Sequence, residues 1–116
     1  MARQPRLLTA TSGGSKLEVR QFPLRRAYDP ALFAKVAPEI ERVARQLAAQ
    51  LGAKMTGRTV TVAGEKAWQY DFVHGNVFEQ VTFVLRGKAE NQLYCRRAKG
   101  ESNSPCERFV SSFTLR

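Results

Sequence analysis

Cys95 and Cys106 lie eleven positions apart in the stretch YCRRAKGESNSPCERFVSSF, and the single histidine, His74, sits upstream in HGN. Three chemistries are open to such residues. A metal centre needs three or four ligands at workable spacing. Here Cys95, Cys106, His74 and a carboxylate would all have to converge, with no Cys-x-x-Cys or His-x-x-x-His pattern to bring them together, so no metal or cofactor is expected. A thioredoxin-like redox pair needs closely spaced cysteines at a helix N-terminus; Cys106 suits that position and Cys95 does not. The third chemistry is a structural disulfide. Cys95 leaves a strand on the same side as Leu93, and Cys106 opens the apolar stripe of a final helix, so both thiols aim into one strand–helix interface. Closing so short a loop contributes about 3 kcal/mol. Two reduced thiols buried as small apolar residues are the alternative. A disulfide implies an oxidising compartment, and hence export.

His74 has Asp71 and Glu79 within reach along the chain, which would allow a catalytic dyad. Nucleophilic catalysis also needs a positioned Ser or Cys and an oxyanion site. Ser111 and Ser112 fall in a terminal helix without a Gly-x-Ser-x-Gly elbow. There is no P-loop, dinucleotide fingerprint or paired-carboxylate motif. No catalytic residue is assigned, and a non-enzymatic role is expected. A small hydrolase or thiol enzyme using His74 or Cys95 ranks below two binding roles.

The binding roles follow from charge. Nineteen Lys and Arg against ten acids give a net charge of +9 in 116 residues, which speeds encounters with acidic partners, nucleic acid or anionic lipid. Most of these cations are scattered. Arg25-Arg26 and Arg96-Arg97-Lys99 are the short clusters, and they are the candidate partner-binding residues for a protein or other acidic partner. Nucleic acid is the rival partner. Trp68, Tyr70, Phe72 and Phe83, at strand spacing, would serve either as a base-stacking platform or as core under a helix. No apolar run approaches the ~20 residues that cross a bilayer. The opening MARQPRLLTATSGG has no apolar signal-peptide region. It favours a cytoplasmic home only if nothing precedes Met1, whereas paired cysteines favour the cell envelope or secretion.

The elements that must carry these residues are legible from hydrophobic period. Arg6–Thr11 and Lys16–Phe22 flank the turn former Ser12-Gly13-Gly14-Ser15 and read as a hairpin. From Asp29, a capping residue followed by Pro30, the apolar positions Phe33, Val36, Ile40, Val43, Ala44, Leu47 and Leu51 form one helical stripe that Gly52 ends. Pro38 is expected to kink or split that helix. After Arg58 the period becomes two. RTVTVAG, KAWQYDFV, NVFEQVTFVLRG and NQLYCRRA read as four strands of an antiparallel meander, with Gly87 to Asn91 as one of the connections. Phe78 and Val84 fall on the sheet face away from Val81 and Phe83, where an uncovered face would expose an apolar strip. Ser104-Pro105-Cys106-Glu107 fits a capping box, with Ser104 as cap and Glu107 reaching back. The helix it opens buries Cys106, Phe109, Val110 and Phe113. The whole chain, 1–116, reads as one α+β domain: an N-terminal hairpin plus a four-strand meander, a long helix and a short C-terminal helix.

That order, with VTVAGEKAWQYDF, a following strand pair and the closing CERFVSSF, resembles the PsbP-like superfamily. The features that carry the likeness are Val62, Gly64 and Ala67 at the start of a strand, the aromatic strands, Tyr94 late in the sheet, and Ser112-Phe113 at the end. The superfamily includes a photosystem extrinsic subunit, a Ran-acting nuclear protein, and bacterial envelope proteins and lipoproteins. The resemblance implies a PsbP-like fold and a non-catalytic binding or assembly role, with no catalytic residue to carry over. The paired cysteines, the Ala-rich helix and the positive charge depart from it.

Overall fold

The computed structural model describes residues 6–12 and 15–113. Five antiparallel strands form one sheet: β1 (Arg6–Ser12), β2 (Ser15–Tyr28), β3 (Lys54–Val62), β4 (Glu65–His74) and β5 (Val77–Ala98). Their spatial order is β1-β2-β5-β4-β3. A long helix, α1 (Phe33–Leu51), and a short one, α2 (Ser104–Ser112), complete the α+β fold. Among the described residues no helix is long and apolar enough to cross a membrane. The hairpin of β1 and β2 is present, although residues 13 and 14 of its expected turn lie outside the described residues.

The two segments read as separate final strands are one 22-residue strand. The expected connection at Gly87–Asn91 does not turn. Instead β5 runs straight from its partner β4, paired through Trp68↔Phe83, to its partner β2, paired from Gly87 to Arg96. The meander therefore has three strands, β3-β4-β5, and β5 joins it to the hairpin. Gly87 has a φ of +57°, a left-handed conformation that glycine adopts without a steric penalty. There the side-chain alternation changes phase: Val81, Phe83 and Leu85 share a core with Tyr94, while Val84 shares the opposite one with Leu93. The partner strand distorts at the same place. Leu24 to Ala27 of β2 stand opposite Lys88 alone, between the pairs Pro23↔Ala89 and Tyr28↔Gly87.

The two helices cover opposite faces. Helix α1 packs Ile40 and Ala44 onto Trp68, Tyr70, Phe72, Val81, Phe83 and Leu85, so the alternate aromatics of β4 are core, where burying ring area drives folding. Trp68 is held between Phe33, stacked at 4.3 Å, and the edge of Tyr28 at 6.5 Å. Its indole Nε1 is buried with no hydrogen-bond partner among the described residues. Helix α1 runs unbroken through Pro38. The expected split occurs earlier, where Asp29 Oδ1 caps a 3-10 turn at Pro30–Leu32. Proline removes a single intrahelical bond, to Ala34, and the exposed position of Pro38 leaves that carbonyl access to water.

Helix α2 lies on the other face, over Val62, Ala67, Val84 and Leu93. No apolar strip is therefore left at Phe78 and Val84: Val84 is fully buried, and the Arg97 guanidinium sits 4.0 Å from the centre of the Phe78 ring. The α2 cap also differs from expectation. Asn103 occupies the cap position without a side-chain cap bond, Ser102 Oγ accepts from the Ser104 amide, and Glu107 accepts from the Asn103 side chain.

Candidate functional site

The cysteines occupy the α2 face. Cys95 and Cys106 are fully buried beside Leu17 and Phe109, with their sulfurs at disulfide-bonding distance and their Cα atoms 5.7 Å apart. His74 belongs to the opposite face, that of Phe72, so the set imagined for zinc does not converge. Among the described residues no three metal-binding side chains cluster. The segment Arg96–Lys99, the end of β5 and the start of the turn that follows it, is braced from three sides. Lys99 N–H donates to the Asn76 carbonyl, Arg97 Nε donates to Asn103 Oδ1, and the disulfide ties the segment's far end. Arg97 is thus engaged within the fold, whereas Arg96 and Lys99 are exposed.

A polar network crosses the α1 face where that helix leaves the sheet uncovered. Buried Glu79 on β5 accepts from His74 Nε2 at 2.5 Å and from the Tyr94 hydroxyl. Arg20 lies over the Tyr94 ring, 5.2 Å from its centre, and donates through Nε and Nη2 to Glu18 at 3.0 and 2.8 Å. Lys16 reaches the other oxygen of Glu18 at 2.9 Å. Burial raises the Tyr94 phenol far above its ordinary value, and its hydrogen bond to Glu79 and that carboxylate's charge add to the rise. Burial also acts to raise Glu18, but the bonds and charges of Lys16 and Arg20 outweigh it and hold the carboxyl below its ordinary value. A phenol with so tightly held a proton serves near neutrality as a hydrogen-bond donor. The chain His74–Glu79–Tyr94 therefore braces β4 and both halves of β5.

The other basic pair lies at the far end of the β2–β5 ladder. Arg96 pairs with Lys16 and lies seven positions along β5 from Ala89, the partner of Pro23. At ~3.3 Å per residue, Arg25 and Arg26 stand roughly 25 Å from Arg96. The five cations predicted as one partner-binding set thus fall into two separate places. Arg25 and Arg26 occupy the bulge of β2, exposed, and neither makes an ion pair among the described residues. The bulge turns its apolar residues inward. Leu24 and Tyr28 join Leu32, Val36 and Ile40 around a groove of about 520 Å³ between β2 and the first half of α1, with Arg25 and Arg26 on its rim. Leu32, 40% exposed, is the large apolar residue left open to solvent there. Glu39 and Glu90 also line it. Sequence reading found the cations but not the groove, because four residues standing opposite one follow from strand pairing, not from period. Comparison with protein-family models finds no match, and comparison with curated proteins finds none either.

Proposed function

We propose that this is a non-catalytic binding domain of an exported or cell-envelope protein that takes an acidic protein segment on the Arg25–Arg26 groove. The bulge of β2 carries the proposal. It holds two cations that make no ion pair among the described residues, on the rim of an apolar groove, a combination that complements a segment alternating carboxylates with aliphatic side chains. Bulges recur where a sheet must aim side chains at a ligand. The Cys95–Cys106 geometry supports an oxidising compartment. Arg96 and Lys99 offer a second, weaker contact at the other end of the sheet. Nucleic acid is the less favoured partner: the aromatic side chains that would stack bases are packed under α1, leaving phosphate contact alone.

Calorimetric titration with a synthetic peptide of alternating Glu and Leu tests the proposal. Binding should weaken with added salt, and the double variant Arg25→Glu, Arg26→Glu should lose about tenfold in affinity. An unchanged affinity overturns the groove assignment. Duplex DNA or single-stranded RNA binding more tightly than the peptide, with a steep salt slope, would move the protein to the nucleic-acid class. Two reactive thiols in the denatured, unreduced protein from its native host would remove the clamp and, with it, the argument for export.

A further inference from the structure

A second cavity, of about 350 Å³, opens between the sheet and the C-terminal half of α1. It is at the small end of the range in which pockets hold small molecules. Val43, Leu47 and Leu51 of α1 form its roof, and Phe72 and Val81 its floor; Arg20, Glu79, Gln92 and Tyr94 supply its polar side. The hydrogen bonds already made decide what could enter. Both oxygens of Glu79 are engaged, by His74 and Tyr94. Arg20 uses Nε and Nη2 on Glu18, and Gln92 donates through Nε2 to Glu90 at 2.6 Å. Among the described residues this leaves Arg20 Nη1 as a donor and Gln92 Oε1 as an acceptor, beside an aliphatic and aromatic wall.

The charges around that opening balance. Of the charged side chains that line it, Arg20 stands against Glu79, and Arg20 is already bonded to Glu18 while Glu79 is already bonded to His74 and Tyr94. A carboxylate head would be desolvated beside Glu79, and an ammonium head beside Arg20, each without a free counter-charge. We propose that this cavity binds a small neutral amphipathic molecule. Its aliphatic tail packs against Leu47, Leu51 and Phe72, and its hydroxyl or primary amide head accepts from Arg20 and donates to Gln92. The cavity adjoins the Arg25–Arg26 groove, since Val43 lines both and Gln92 bonds to Glu90 of the groove, but the probes that test it are neutral and do not rely on Arg25 or Arg26.

Four probes of one chain length test it: 1-octanol, octanamide, octanoate and octylamine, titrated by calorimetry and followed by amide shifts of the labelled protein. The two neutral probes should saturate, with shifts centred on Leu47, Phe72 and Gln92, and the two charged ones should bind about tenfold more weakly or worse. Gln92→Leu, which keeps the side-chain size, should cut binding of octanamide about tenfold while its thermal unfolding stays cooperative. Leu47→Trp, which fills the cavity, should abolish binding of both neutral probes. Equal binding of octanoate, absence of saturation by both neutral probes, or full affinity in both variants would overturn the assignment.

Discussion

Tyr94 carries the clearest pH signature in the molecule. Its folded-state phenol titrates well above the unfolded value of ~10. The stabilisation linked to this proton is complete below pH ~10, then falls as pH rises and the unfolded chain loses the proton that the folded one keeps. Tyr28 and Tyr70 are shifted the same way, both chiefly by burial, so all three tyrosines should contribute to a steep alkaline limb. Chemical denaturation between pH 9 and 11.5 should show Tyr94→Phe losing stability less steeply than the wild type, by up to about 1.4 kcal/mol per pH unit; parallel limbs would contradict the assignment. Gly57 makes a second point at this scale. A Cβ there would lie 2.7 Å from Cε1 of Tyr70, its cross-strand partner. Tyr70 is pinned against Phe83 and cannot give way freely. Gly57→Ala should therefore destabilise by about 1–3 kcal/mol, measurable as a lower thermal midpoint, even though alanine ordinarily suits a strand better than glycine. From sequence, Gly57 is one more small residue at a strand edge, and only the ring lying on it shows why it matters.

Among the elements, β5 and α2 depend on each other. Cys95 sits on the strand shared by both halves of the sheet, and Cys106 sits in the first turn of a helix too short to hold by itself. Replacing both by serine should cost about 2–3 kcal/mol through the freed unfolded chain. It should also raise amide exchange first in α2, with the α1 face following only at global unfolding; uniform exchange throughout would mean that the clamp does not act locally. The strand–helix orientation of both thiols is legible from alternation before Cys95 and from the helical stripe after Cys106, since both are local periods. The continuity of β5 is not legible. A glycine followed by charged residues reads as a turn, and the distinction between a turn and a phase change rests on which strand lies alongside. Pro38 misleads in the same way. The local rule predicts a break, but the packing of Ile40 and Ala44 onto the aromatic face holds α1 together across it.

At the scale of the whole molecule, the candidate partner-binding cations fall in two separated places rather than on one surface. Charge reversal at Arg25 and Arg26 and at Arg96 and Lys99 should therefore act additively on binding of an acidic probe, to within about 0.5 kcal/mol. A double-mutant cycle with a larger coupling would show that one partner spans both ends. The sequence alone determined the α+β class, the N-terminal hairpin, the apolar stripe and Gly52 stop of α1, the shared face of the β4 aromatics and the inward aim of both cysteines. Each of these follows from hydrophobic period and capping chemistry acting over a few neighbouring residues. The tertiary structure decided the rest: the single long β5, the bulge that lifts Arg25 and Arg26, the His74–Glu79–Tyr94 brace, the cavity under Leu47, and the covering of Phe78 by Arg97. These depend on which strands meet and in what register. Register is set by the summed burial of two faces across the whole sheet, so no local stretch of sequence contains it.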